Sequence, residues 1–255
     1  MNSISQKNNN YVNICKLAAS NDSVFETFKR NRHYTEILEH TTYENGLLYL
    51  NNIKTNFPDY IKYINKFKIN DSLGGSVVYD YPDIGLISPS SLRYIKVVSD
   101  IINIFQDLNN KTIIEIGCGY GGQCFMLNQV FKFKTYYIVD IPETQSLINK
   151  YLTKLNINFQ LITIDELINN KNIEYDLVIS NYAYSELSKD LQNFYYENII
   201  KQSKNGYFTL NFISHLFNIE SHTKDSLICL FNKQHMCKLL KEDPETFNDN
   251  LILYF

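Results

Sequence analysis

Tryptophan is absent from this chain, alanine occurs only at positions 18, 19 and 183, and arginine occurs only as Arg30, Arg32 and Arg93. Asn, Ile and Lys fill the space, a bias that an A+T-rich coding sequence imposes, so lysine-rich stretches carry little information. Arginine is different, because lysine cannot replace it where a planar, bidentate donor is needed. A basic excess is also missing. The formal net charge is −3 and the pI about 6.0, which argues against a binder of nucleic-acid polymers. No apolar run approaches the ~18 residues of a membrane span, and the polar start MNSISQKNNNYVNICKLAAS lacks the apolar stretch of a secretory signal. The five cysteines (15, 118, 124, 229, 237) show no CxxC spacing and are odd in number, which speaks against a zinc site or a disulfide framework. Together these absences predict a cytoplasmic protein with reduced thiols and no membrane partner.

What is present fits a globular enzyme. The 255 residues are 44% apolar and 20% charged, enough for one α/β domain with a modest extension. Residues 1–85 read as a helical cap ending in a substrate loop, and residues 86–255 as a catalytic domain. Ser23 with Glu26 forms a capping-box pattern, and a second helix starts near Thr42 and carries Leu47, Leu48 and Ile53. The stretch 70–90 holds Gly74, Gly75, Pro82, Gly85 and Pro89, so a loop or irregular hairpin is expected. Ser88 and Pro89 then start a helix that runs to about Asn109. Beyond it, apolar runs alternate with helical segments: TIIEI (112–116), TYYIV (135–139), NFQLI (158–162), YDLVI (175–179) and YFTLNF (207–212). That rhythm predicts a Rossmann-like, mostly parallel sheet, with the tail NLILYF as an antiparallel edge strand.

The chemistry concentrates in Glu115-Ile116-Gly117-Cys118-Gly119-Tyr120-Gly121-Gly122, between a predicted strand and a predicted helix. Glycines there let the backbone turn tightly and approach a ligand. Asp140 ends the next strand, 21 residues beyond Gly119, where a carboxylate accepts from two ribose hydroxyls. Gly117, Gly119 and Gly122 also satisfy G-x-G-x-x-G, so a dinucleotide is a second possible ligand. Glu115 favours a methionine amino group over a pyrophosphate, which it would repel. An NAD-dependent sugar oxidoreductase would want Tyr-x-x-x-Lys after the fourth strand, and Tyr184-Ser185-Glu186-Leu187-Ser188 has no lysine there.

EIGCGYGGQC, VDIPETQSLINKYL and YDLVISNYAYSEL resemble blocks of the class I S-adenosylmethionine-dependent methyltransferases. With SPSSLRYIK, they look more closely like the bacterial sugar O-methyltransferases of polysaccharide and capsule gene clusters, over roughly residues 70–212. The resemblance implies S-adenosyl-L-methionine as cofactor and S-adenosyl-L-homocysteine as product. It also implies methylation of a sugar hydroxyl, on a nucleotide-activated sugar such as a GDP-heptose. A phosphorylated amine or small alcohol is an alternative acceptor, and a non-catalytic cofactor-binding module an alternative role. Carried onto this chain, Glu115, Gly117, Gly119, Tyr120 and Gly121 line the methionine end. Asp140 holds the ribose, Ile141 packs beside the adenine, and Asp165 meets the adenine amino group unless it merely caps the helix DELINN. Asn181 and Tyr182 sit at the carboxyl edge of the sheet. Arg93 grips either the methionine carboxylate or a substrate phosphate.

For the acceptor, the polar aromatic loop offers Asp71, Tyr79 and Tyr81, joined by Tyr184. The cluster Lys29-Arg30-Asn31-Arg32-His33 either meets a substrate diphosphate or forms a solvated helix face. Candidate bases are His215, by its ordinary pKa, and Glu186, if burial raises its own, with Asn211 orienting the acceptor. Asp71, a tyrosine or water are the remaining choices. No metal is required, and no ligand spacing for one is present. The oligomeric state stays open, a homodimer included.

Overall fold

The computed structural model describes residues 3–169 and 173–255. A hairpin of β1 (Tyr79–Tyr81) and β2 (Gly85–Ile87) stands apart from a seven-stranded sheet. The sheet comprises β3 (Thr112–Ile116), β4 (Thr135–Val139), β5 (Gln160–Leu161), β6 (Leu177–Asn181), β7 (Gly206–Leu210), β8 (Lys238–Lys241) and β9 (Leu251–Tyr254), in the order β5-β4-β3-β6-β7-β9-β8. Strands β3 to β7 run parallel, while β9 is antiparallel to both β7 and β8. The chain winds outward in one direction from β3 to β5 and in the other from β6 to β7. The switch point between β3 and β6 is where an open α/β sheet leaves a crevice.

Alternation of side chains explains why these apolar runs are strands. Ile113, Ile138, Leu177, Ile179 and Tyr207 point into one core layer, and Ile114, Val139, Val178 and Phe208 into the other. With both faces covered, near-continuous apolar runs are what a parallel sheet requires. The first layer also takes in the N-terminal helices: Tyr11, Phe28, Tyr34 and Leu50 belong to the same apolar cluster as Ile113. Helix Asn9–Ser20 packs on helix Pro142–Lys154, and helix Tyr43–Asn56 lies along helix Pro89–Phe105.

Several local expectations shift. The helix at the proposed capping box spans Asp22–Phe25, and its cap is Asn21, which accepts from Val24 N at 3.2 Å. Ser23 therefore lies inside the turn. Thr42 and Ser88 cap the next two long helices as expected, accepting from Asn45 N and Ser91 N. The second of these stops at Phe105, short of Asn109, because Gln106 turns to φ +62°. The tail strand β9 is antiparallel but lies one strand in; the outermost strand is β8, whose sequence KLLK is exposed throughout.

The basic cluster departs from both expectations at Lys29, which is buried, while Arg30 is exposed but tied to backbone carbonyls. Lys29 is fully buried, with Nζ donating to Asn70 O (2.8 Å), Tyr151 OH (2.9 Å) and Ser76 Oγ (3.2 Å). It also lies 4.2 Å from the centroid of the Tyr120 ring. Arg30 donates to the carbonyls of Gly75 and Ser76. Both residues hold the 74–76 loop in place.

Candidate active site

The site begins where β3 runs out. Gly117 turns to φ +74°, and a Cβ there would lie 2.1 Å from Ala183 Cβ. Gly119 sits at φ +63° beneath Leu38, whose Cδ1 would be 2.7 Å from an added Cβ. Both positions demand a residue without a side chain. Asp140, at the end of β4, faces this loop. Its Oδ2 accepts from Cys118 N (2.9 Å) and Gly119 N (3.2 Å), and its Oδ1 from Ile141 N (2.8 Å). Burial pushes the Asp140 carboxyl up to about 6 against the opposing pull of those three amides. Glu115 is 1% exposed, accepts from Tyr136 OH at 2.8 Å, and is pushed up to about 7 by burial.

A cavity of about 480 Å³ opens over this loop at the carboxyl ends of β3, β4, β6 and β7. Arg93, Glu115, Gly117, Gly119, Asp140, Asn181, Tyr182, Glu186 and Asn211 all line it. Across from the glycine loop, Asn211 Nδ2 donates to Glu186 Oε1 at 2.7 Å, and Ser185 Oγ donates to Asn211 Oδ1 at 3.3 Å. Burial pushes the Glu186 carboxyl up to about 7, with the Asn211 hydrogen bond acting against it. Tyr182 follows β6 at φ +64° and donates its hydroxyl to Glu242. Glu242 accepts in addition from Thr246 N (2.9 Å), Thr246 Oγ1 (2.8 Å) and Asn250 Nδ2 (2.9 Å), which folds the 242–250 segment over the cavity.

The other candidates lie elsewhere, for identifiable reasons. His215 is exposed outside the cavity, its Nδ1 2.9 Å from Phe212 O. Tyr120 points away from the loop it belongs to: it is fully buried, and its hydroxyl accepts from Asn70 Nδ2 at 3.0 Å. Gly121, at φ +99°, leads into helix Gly122–Asn128, and a Cβ there would meet Leu152 at 2.8 Å. Ile141 caps helix Pro142–Lys154 beside the cavity without lining it. Asp165 is exposed in the first turn of helix Ile164–Asn169, where Thr163 and Glu166 cap each other instead.

The acceptor candidates are displaced as well. Asp71 accepts from Ser88 N (2.7 Å), Ser88 Oγ (2.7 Å) and Ser91 Oγ (2.8 Å), so it secures a helix start. Tyr81 is buried and donates to Tyr43 O at 3.1 Å, while Tyr79 is 40% exposed on the hairpin. Tyr184 is fully buried and donates to Gln192 O at 2.8 Å. In their place the cavity holds Tyr49, Gln123 and Glu242. Tyr49 lies one helical turn beyond Asn45, which also lines the cavity, a spacing that could have pointed to a shared face. Glu242 gave no such signal.

The chain matches no family model and no curated protein. It is similar to solved structures. One is the N-methyltransferase NodS from Bradyrhizobium japonicum, at 14% identity over 64% of this chain and 93% of that one, with a TM-score of 0.51. Others are a S-adenosylmethionine-dependent methyltransferase from Clostridium acetobutylicum (13% identity, 62% and 87%, TM-score 0.48) and an rRNA methylase from Streptococcus thermophilus (15%, 64% and 95%, TM-score 0.46). The fold is that of the class I methyltransferases, with a mostly parallel seven-stranded sheet.

Proposed function

We propose that the protein is an S-adenosylmethionine-dependent O-methyltransferase acting on a hydroxyl of a nucleotide-activated sugar, such as a GDP-heptose, in polysaccharide or capsule assembly. One observation carries the reading. A single cavity joins a glycine loop flanked by Glu115 and Asp140 to a second carboxylate, Glu186, held by Asn211. The residues fit the cofactor. The loop has positive-φ glycines where side chains would collide, and Asn181 Nδ2 and Gln123 Oε1 are buried without a hydrogen-bond partner among the described residues.

When bound, S-adenosylmethionine supplies an electrophilic methyl group on a positively charged sulfur. The chain's residues do the rest. Glu115 holds the methionine ammonium, which in turn keeps that carboxyl charged, and Asp140 receives the ribose hydroxyls. Glu186 takes the proton from the acceptor hydroxyl. Asn211 fixes its Oε1, while Oε2 makes no hydrogen bond among the described residues. With its pKa pushed up to about 7, this carboxylate is matched to general-base work at neutral pH. The half-buried position of Glu186 on the cavity wall, against the exposed position of His215 outside it, supports the former as the base.

Calorimetric titration with S-adenosylhomocysteine and with NAD tests the donor; binding of NAD alone overturns it. Mass spectrometry for the gain of one methylene, across nucleotide sugars, phosphorylated alcohols and phosphorylated amines, tests the acceptor. Glu186→Gln is expected to lower kcat by about 10²-fold with donor affinity intact, and to abolish the acid limb of the pH–rate profile. A loss below tenfold refutes the assignment of the base.

A further inference from the structure

Arg93 departs from the chain's other buried cations. Lys29 has three oxygen partners, and Lys96 pairs with Asp100 at 2.7 Å. The Arg93 guanidinium, half-buried on the cavity wall, makes neither a hydrogen bond nor an ion pair among the described residues. It lies only against ring faces, 5.6 Å from the Tyr94 centroid and 5.9 Å from that of Tyr182. Five N–H donors are thus left without a protein acceptor in a partly desolvated place, which is costly unless a ligand supplies one.

A second observation points to the same ligand. Tyr49 is 2% exposed, lines the cavity, and its hydroxyl makes no hydrogen bond among the described residues. Burial pushes the Tyr49 hydroxyl up to about 12, and the Arg93 charge acts against that rise. Two acidic side chains stand nearby. Glu242 is engaged by Tyr182, Thr246 and Asn250, and Glu39, pushed up by burial, makes no ion pair with Arg93. Glu39 Oε1 and Gln123 Oε1 are unmet acceptors, but Arg93 can only donate and Tyr49 can donate, so the group that meets these two is rich in acceptors. Arg93 sits beside Tyr182, beyond β6, and beside helix Tyr43–Asn56, whereas Glu115 and Asp140 end β3 and β4. That places it toward the acceptor side.

We propose that Arg93 and Tyr49 form a subsite for a phosphoryl group carried by the acceptor, which aligns the acceptor's hydroxyl with Glu186. The inference rests on the methyl-transfer reading and narrows its substrates to phosphorylated small molecules. A guanidinium suits this task because its fork matches two phosphate oxygens at once.

The test uses the full chain with three probes: inorganic phosphate, S-adenosylhomocysteine, and 5′-methylthioadenosine, which lacks the amino-acid carboxylate. Phosphate is expected to bind the wild-type protein saturated with S-adenosylhomocysteine. Arg93→Met should weaken phosphate at least tenfold and change both nucleosides by less than threefold. Tyr49→Phe, which keeps the ring packed, should weaken phosphate two- to tenfold. If Arg93→Met weakens S-adenosylhomocysteine tenfold but leaves 5′-methylthioadenosine unchanged, the arginine holds the methionine carboxylate and the proposal falls. Phosphate that fails to bind the wild type, or binds the variant equally, overturns it too. If neither nucleoside binds the wild type, the donor reading fails separately, and the phosphate titration still decides the subsite.

Discussion

Asp140 holds the glycine loop by accepting from two of its backbone amides, as well as from Ile141 N, and the same carboxylate is the one proposed to receive the ribose hydroxyls. Asp140→Ala is therefore expected to weaken S-adenosylhomocysteine by at least tenfold, or ~1.4 kcal/mol, through loss of a charge-assisted contact. Unchanged affinity in a folded variant, measured calorimetrically, would falsify the nucleotide assignment. Gly119→Val should abolish binding altogether, because a β-branched residue at φ +63° is strained and its side chain would strike Leu38. These residues were legible in the sequence since their relations are local: a strand, a glycine loop and an acidic residue at a fixed spacing. Tyr182 and Glu242 were not legible as a pair. They stand 60 residues apart, and nothing in either neighbourhood marks the other.

At the scale of elements, the β1–β2 hairpin illustrates how composition can mislead. Its tyrosines resemble a sugar-binding surface, yet the hairpin packs on helix Tyr43–Asn56. Tyr81 stacks on Tyr43 at 4.9 Å between centroids and fills the space above Gly46, where a Cβ would meet its hydroxyl at 1.9 Å. Gly46 is thereby explained inside a helix that would otherwise favour alanine. Tyr81→Phe is expected to cost about 1 kcal/mol of stability, one hydrogen bond, while Tyr79→Phe should cost little. The acceptor KM should not move in either variant; a several-fold rise in KM at unchanged stability would put the hairpin back in the site. The parallel strands were readable because burial on both faces forces continuous apolar runs. Strand β8 was missed because all four of its residues are exposed and carry no alternation. The displaced acceptor tyrosines have a different cause, since a chain with 20 tyrosines uses many of them, Tyr81 and Tyr184 included, as core.

Across the whole molecule, the cavity gathers three carboxyl groups whose pKa is raised by burial: Glu115 to about 7, Asp140 to about 6 and Glu186 to about 7. Each native carboxyl keeps its proton at a pH where the unfolded chain has released it. Between about pH 4.5 and 7 the native state therefore binds more protons than the unfolded state, and these groups make stability fall as pH rises. Lys29, lowered by burial to about 8, acts in the opposite sense and at higher pH. There the unfolded chain holds the proton that the native state has lost, so its contribution makes stability rise from about pH 8 toward 10.5. Exposed pairs such as Asp22–Lys150, where the carboxyl is lowered, add an opposing slope below pH 4. The clean quantity is thus the difference between a variant and the wild type. Glu115→Gln keeps an acceptor for Tyr136 OH and removes the titration. Relative to wild type, it should gain stability progressively from pH 5 to pH 8, on the order of 2 kcal/mol at the top of that range. Urea denaturation of both proteins at several pH values, without ligand, measures this. A difference that stays flat across the range would mean that Glu115 is not held protonated by its burial. Glu115 would then already carry its charge in the free protein and would meet the methionine ammonium without first losing a proton.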